Sequence, residues 1–485
     1  MSFTSSTSLE RTRRACARFA PMLFACTFAL APRVLPAQET AAPRSVTARD
    51  TPRAESDGRQ LDSLVALALA RNPAIRAASA SADAARHHVV VAATAPDPVL
   101  MAGIQNQPLG RESATSLMSE SAPGGPDPMT MHMVGVSQTI PFRGKLALRR
   151  RIAEQEARGA GVAIERARRE VERDVKDAYY ELAFLDQGLA IVTRNRDMLA
   201  SLVRITDARY SLGTASQPDV LQARIEASRV AETASSLAER RRAALARLNA
   251  AIGRAGDTPV SGPAIPARIV HAAVAGSSAD VRFVSNALGA RAAGSPLPPL
   301  DALQDAAVAN DPSIREHEAM IAAQAARVEL AGKERLPDVD VTVQYGQRGG
   351  GLADMVSASV SVPLPIFHRR KQREVVLEAT AQLHLLHAEH DSAVNALHLR
   401  VAQLVSELER ERTQLALYTK AMLPQGRAAL TSTAASFQVG KADLVAVLDV
   451  QSTLFTTETD YFRALTDFAR NLAELERLTG EEIGS

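Results

Sequence analysis

The chain says nearly the same thing twice, and this constrains its fold more than any other feature. Residues 61–76 read LDSLVALALARNPAIR and residues 300–315 read LDALQDAAVANDPSIR, with half the positions identical. Tyr210-Ser211-Leu212-Gly213 is answered by Phe437-Gln438-Val439-Gly440. The spacing from these glycines to Leu248 and Gly253, and to Leu475 and Gly480, is the same in both copies. Ile140-Pro141-Phe142 likewise answers Leu364-Pro365-Ile366-Phe367. A duplicated pattern means one unit of supersecondary structure used twice. Each copy reads as a helix, two strands and a very long helical hairpin. The expected division is 1–37 as an export leader, 38–60 as a loose polar segment and 61–253 as the first repeat. A Gly-, Pro-, Ala- and Ser-rich linker follows at 254–299, then the second repeat at 300–480 and a short tail at 481–485.

The long helices carry a seven-residue rhythm. Val171, Val175, Ala178, Leu182, Leu185, Leu189, Val192, Arg196, Leu199 and Val203 alternate steps of four and three, with one polar break. Leu397, Val401, Leu404, Leu408, Glu411, Leu415, Tyr418 and Met422 repeat it, again with one charged break, and Tyr461, Leu465, Phe468, Leu472 and Leu475 continue it. Such seams predict coiled-coil packing. The stretch from about Lys145 to Tyr210 would be on the order of 100 Å long at ~1.5 Å per residue. A tube or stalk needs such a length, and a compact domain does not. Aromatic residues are only 4% of the chain and Trp is absent, so the apolar content is largely aliphatic and suits close helix packing.

The strands alternate. Val339, Val341, Val343 and Tyr345 share one face, and Asp338, Asp340, Thr342 and Gln344 the other. Val356, Ala358, Val360, Val362 and Leu364 oppose Ser357, Ser359 and Ser361, while 99–106 and 131–140 supply the first copy's strands. One apolar and one polar face suit a half-buried sheet, or a barrel with lipid outside and water inside. About four strands per chain are too few to close a membrane barrel, whose minimum is about eight. Open edges cannot lie in lipid. Three copies sharing one barrel of about twelve strands would resolve this. The predicted fold is mainly α with a small β part, built from coiled-coil hairpins in a two-fold repeat and a shared trimeric barrel.

The N-terminus points to export. Arg11, Arg13, Arg14 and Arg18 precede an apolar stretch, and small residues near Ala37 offer a cleavage site. Cys26 offers a second reading, as a lipidated residue. Both cysteines, Cys16 and Cys26, lie in this leader, which rules out a disulfide scaffold. Beyond it no apolar run reaches the ~20 residues of a spanning helix. A net charge of +2 gives no sign of a nucleic-acid partner. No phosphate loop, nucleophile elbow, HExxH or dinucleotide turn is present, so neither an enzyme nor a cofactor is expected.

The duplicated order, the paired YSLG and FQVG turns and the strand-to-helix junction 136–145 (VSQTIPFRGK) resemble the TolC family of outer-membrane efflux channels. The resemblance covers residues 61–480. SVPLPIF at 361–367 and IPFRGK at 140–145 look most like its heavy-metal branch, the CzcC- and CusC-like proteins. The resemblance implies a homotrimer with a β-barrel in outer-membrane lipid and a helical barrel in the periplasm. It further implies a periplasmic adaptor and an inner-membrane pump, of the RND type, as partners. The glycine turns would be periplasmic tips that meet the adaptor, matched here by Tyr210, Gly213, Phe437 and Gly440. Glycine at a hairpin turn also has a purely local reason, its tolerance of positive φ. Asp449 falls at one position of a constriction ring of aspartates, although Ala446 occupies the other; a solvated helix-face Asp is the alternative. Ser216-Gln217-Pro218-Asp219 reads as a capped helix start, with any latch role for Ser216 and Asp219 secondary.

Two clusters have metal-binding side chains. Met129, Met131 and Met133 fall on one face of a strand, and thioethers favour Cu(I); an apolar packing row is the other reading. His384, His387 and His390 are neighbours on a helix and could hold Zn(II) or Cu(II), or form a wet helix face. The competing reading of the whole chain is a periplasmic coiled-coil scaffold or adaptor, which would leave the duplicated strands idle.

Overall fold

The computed structural model describes residues 53–106, 130–274, 297–348, 352–364, 366–367 and 370–483. The export leader, Met129 and most of the second half of the linker lie outside these residues. The first repeat runs α1 (Arg53–Arg71), α2 (Pro73–Ala93), β1 (Val99–Gln105), β2 (Met131–Ile140), α3 (Lys145–Ser211) and α4 (Gln217–Ile252). A short α5 (Ala267–Val274) follows. The second repeat runs α6 (Leu300–Asn310), α7 (Pro312–Lys333), β3 (Val339–Arg348), β4 (Met355–Ser361), α8 (Lys371–Leu417), α9 (Leu423–Gln438) and α10 (Leu444–Thr479).

The single helix expected at the head of each copy is a pair, broken at Asn72-Pro73 and again at Asp311-Pro312. Proline disfavours helical backbone in the residue before it, and Asn72 and Asp311 take extended ψ values of 129° and 123°. Each then caps the next helix, accepting a hydrogen bond from Ala74 N at 2.8 Å and from Ser313 N at 2.7 Å. The repeat is therefore kept at the level of a single cap.

The heptad seams become the core. Val171, Val175, Ala178, Leu182, Leu185, Val192 and Leu199 of α3 are buried, as are Leu397, Val401, Leu404, Leu408 and Leu415 of α8. Leu465, Phe468, Leu472 and Leu475 of α10 face them. One expected seam position moves. Met422 is exposed and Leu423 is buried in its place, because a π turn at Tyr418–Met422 adds a residue between α8 and α9. Its cause is local: Pro424 has no N–H to donate and its ring crowds the preceding turn. The α8–π–α9 rod is thereby one residue longer than the 67-residue α3.

The four strands form one antiparallel sheet in the order β1-β2-β3-β4, with the two repeats meeting at β2–β3. β1 and β4 are left as edges. Below the sheet, Lys145 is buried at the start of α3 and donates to Asp338 at 2.8 Å. The same carboxylate oxygen accepts from Phe142 N at 2.7 Å. The IPFRGK junction of the first repeat is thus tied to the strand entry of the second.

Candidate functional site

Both hairpin turns close in the same way. In the first, Gly213 has φ +70°, its N–H donates to Tyr210 O at 3.0 Å, and Thr214 N donates to Arg209 O at 2.9 Å. In the second, Gly440 has φ +75°, with bonds of 3.0 Å to Phe437 O and 2.8 Å from Lys441 N to Ser436 O. This is the Schellman closure, which needs a left-handed residue after the last helical turn. Three residues on, each partner helix is capped. Ser216 and Asp219 form a reciprocal capping box on α4, and these bonds from the Ser216 hydroxyl and N–H hold the Asp219 carboxyl below the usual carboxylate range. On α10 the cap is Asp443, which accepts from Ala446 N at 3.0 Å.

The two tips are joined by a residue that the sequence pattern does not single out. Arg209 donates to the Phe437 carbonyl at 3.1 Å and lays its guanidinium over the Phe437 ring at 4.8 Å. Phe437 is only 4% exposed and belongs to a second core with Leu199, Leu202, Leu444 and Val447. Tyr210 is 49% exposed. The pair that sequence symmetry treats as equivalent is therefore split into one anchor and one surface residue. Asp449 lies exposed on α10. Arg209 gives no pattern of its own, since any Arg in a final helical turn would suit the helix dipole equally well.

The sheet has one mainly apolar and one mainly polar face. Register places Leu100, Ala102 and Ile104 of β1 beside Val136, Val134 and His132 of β2. On the same face Val134, Val136 and Ile140 meet Tyr345, Val343 and Val339, and then Val356, Ala358 and Val360. Most of these large apolar groups are about half exposed or more, with Val356 at 73%, and Val339 is half-buried. The opposite face carries Ser137, Thr139, Asp340, Thr342, Gln344, Ser357, Ser359 and Ser361, together with Met131 and Met133. An apolar face this open in water would be costly. In lipid it is matched.

The histidines of α8 do not gather. His384 and His387 are exposed, whereas His390 turns inward and meets His317 of α7 edge-on, with ring centroids 6.4 Å apart. Among the described residues no group of three His, Cys, Asp or Glu is close enough to hold a metal ion. Nor is any described helix long and apolar enough to cross a membrane.

A family model described as outer membrane efflux protein matches residues 64–254 and 303–481. The cobalt-zinc-cadmium resistance protein CzcC of Cupriavidus metallidurans is 20% identical over 433 residues, 88% of this chain and 92% of its own. The outer membrane protein VceC of Vibrio cholerae matches in structure with a TM-score of 0.68 at 18% identity, covering 89% of this chain and all of its own. CusC matches with a TM-score of 0.67 at 15% identity, covering 87% of this chain and 92% of its own.

Proposed function

The chain belongs to the outer membrane efflux protein family, and from that premise we propose that it is the exit duct through which a tripartite pump exports heavy-metal cations. It resides in the outer membrane and acts as a channel, not an enzyme. The observation that carries the reading is the four-stranded sheet, apolar and open on one face, polar on the other, with two unpaired edges. Three copies give about twelve strands, enough to close a barrel with no edge left in lipid. The polar face then lines a water-filled bore, and the hairpins of α3–α4 and α9–α10 extend it into the periplasm.

The chain supplies no chemistry to its cargo; it supplies a wall and a gate. The exposed tip positions Tyr210, Gly213 and Gly440 meet the periplasmic adaptor, and Phe437 holds the second turn in place behind them. Opening that parts one tip from the other must break the Arg209–Phe437 contact. Asp449 in three copies sets a ring of carboxylates near the tips, which favours cations. The energy comes from an inner-membrane pump of the RND type. Similarity along most of both chains to a protein named for cobalt, zinc and cadmium resistance supports a metal cargo. A periplasmic scaffold is disfavoured, since it gives the apolar sheet face nothing to cover it.

Deleting the gene and challenging cells with cobalt, zinc, cadmium, copper and silver salts, and separately with organic antibiotics, tests the cargo. Sensitivity to metal salts that the restored gene reverses is the expected result. Sensitivity confined to the organic compounds would refute it.

A further inference from the structure

We propose that the polar face of the sheet carries a thioether site for a soft monovalent metal ion, Cu(I) or Ag(I), formed by Met131, Met133 and Met355 around Gly346. The first observation is segregation. The described strands hold four methionines, Met101, Met131, Met133 and Met355, and register places all four on the face of Ser, Thr and Gln. The other face holds Leu, Ile, Val, Ala and Tyr, with His132, Gln138 and Gln347, and no methionine. Residues present only as apolar filler would be spread over the face where apolar filler belongs.

The second observation is convergence. Met133 and Met355 both pair with Gly346, one from each side. With strands ~4.8 Å apart, their Cα atoms lie roughly 10 Å from each other across a residue with no side chain. Met131, two residues along β2, leans into the same space. A Cβ built on Gly346 would stand 3.0 Å from Met131 Sδ and 3.7 Å from Met133 Cγ. The Met131 thioether and the Met133 side chain thus occupy the room that a side chain at position 346 would take, and Met355 borders it from β4. Gly103, the other strand neighbour of Met133, leaves that flank open as well. His132 lies on the opposite face beside Gln347 and takes no part. Arg348, which pairs with Met131, donates through Nε to the Ala353 carbonyl at 2.9 Å.

Neutral, polarizable sulfur selects Cu(I) and Ag(I) over Zn(II) or Co(II), which prefer nitrogen, oxygen or thiolate. Thioethers also need no deprotonation, so the site works at any physiological pH. A trimer holds three such sites. Placing them in the bore rests on the duct reading given above; the site would retain soft monovalent ions at this level of the channel and let divalent ions pass unbound.

The test uses the full-length protein in detergent, titrated with silver nitrate, with zinc chloride as the comparison, and bound metal counted per chain after desalting. One Ag(I) per chain and no retained zinc is expected. In the volume-conserving variant Met131→Leu/Met133→Leu/Met355→Leu, silver affinity should fall at least tenfold while conductance in planar bilayers stays as in wild type. The X-ray absorption of the Cu(I)-loaded wild type should show a shell of three sulfurs. A wild type that retains no silver, a Leu variant that binds it equally well, or a shell of nitrogen and oxygen overturns the site. Absence of conductance in the wild type would instead overturn the duct, with silver binding still read in the same sample.

Discussion

Replacing Arg209 by Ala should loosen the periplasmic end of the channel without unfolding it. The side chain makes one charge-assisted hydrogen bond to the Phe437 carbonyl and one cation–π contact with its ring. Bonds to charged groups contribute about 1.5–3 kcal/mol and half-exposed cation–π contacts about 0.5–1 kcal/mol. Arg209 is only partly buried, so the lower ends apply, giving about 2 kcal/mol per chain. That shifts each chain's open–closed balance about 30-fold. Purified wild-type channels in planar bilayers should open rarely, and Arg209→Ala channels should open frequently and for longer. Arg209→Lys keeps the charge but loses the planar stack, so it should fall between them. Arg209→Ala channels with wild-type open probability would refute the idea that this contact restrains the tips.

Four further outcomes follow from the same structure. Val356→Lys, on the apolar face, should cost on the order of 2 kcal/mol in the bilayer and deplete folded protein from outer-membrane fractions, whereas Ser357→Lys on the polar face should not. Gly440→Val forces a β-branched residue to φ +75° with its Cβ 3.1 Å from Arg209 Nη2; at roughly 1–2 kcal/mol, amide exchange of Lys441 should quicken about tenfold. Burial raises the Glu411 carboxyl from its ordinary 4.5 to about 7. A raised acid makes the native state the stronger proton binder, so stability falls as pH rises through that window, and Glu411→Gln should raise the Tm at pH 8 but not at pH 4.5. Ser216→Ala removes the hydroxyl of the α4 capping box and should lower helix-end protection by about 1 kcal/mol, read by exchange of the Asp219 amide.

Much of the fold was legible because its elements obey simple periods. The seam from Val171 to Leu199 alternates steps of four and three and is buried except at Leu189, which is half-buried, and Arg196, which is exposed; β2 spans Met131–Ile140 as expected, although its alternation is less clean than that of β3. The exceptions have local chemical causes. Pro73 and Pro312 split the leading helix, a break that the N-P and D-P pairs signal. Pro424 drives the π turn that moves the seam from Met422 to Leu423, and no heptad count reveals a one-residue slip inside a continuous helix. The site was harder to read. Tyr210 and Phe437 are equivalent in the repeat, yet one is exposed and the other buried, because only the second tip has an Arg209 lying across it. Sheet register, which sequence leaves open, is what sets Met355 and Met133 on either side of Gly346.

One chain, with four strands among its described residues, cannot close a barrel by itself. Native mass spectrometry of the detergent-extracted protein, with the same sample reconstituted in a planar bilayer, tests it most directly. A mass of three chains and discrete conductance steps is the expected result. A single-chain mass with no insertion into lipid would contradict it.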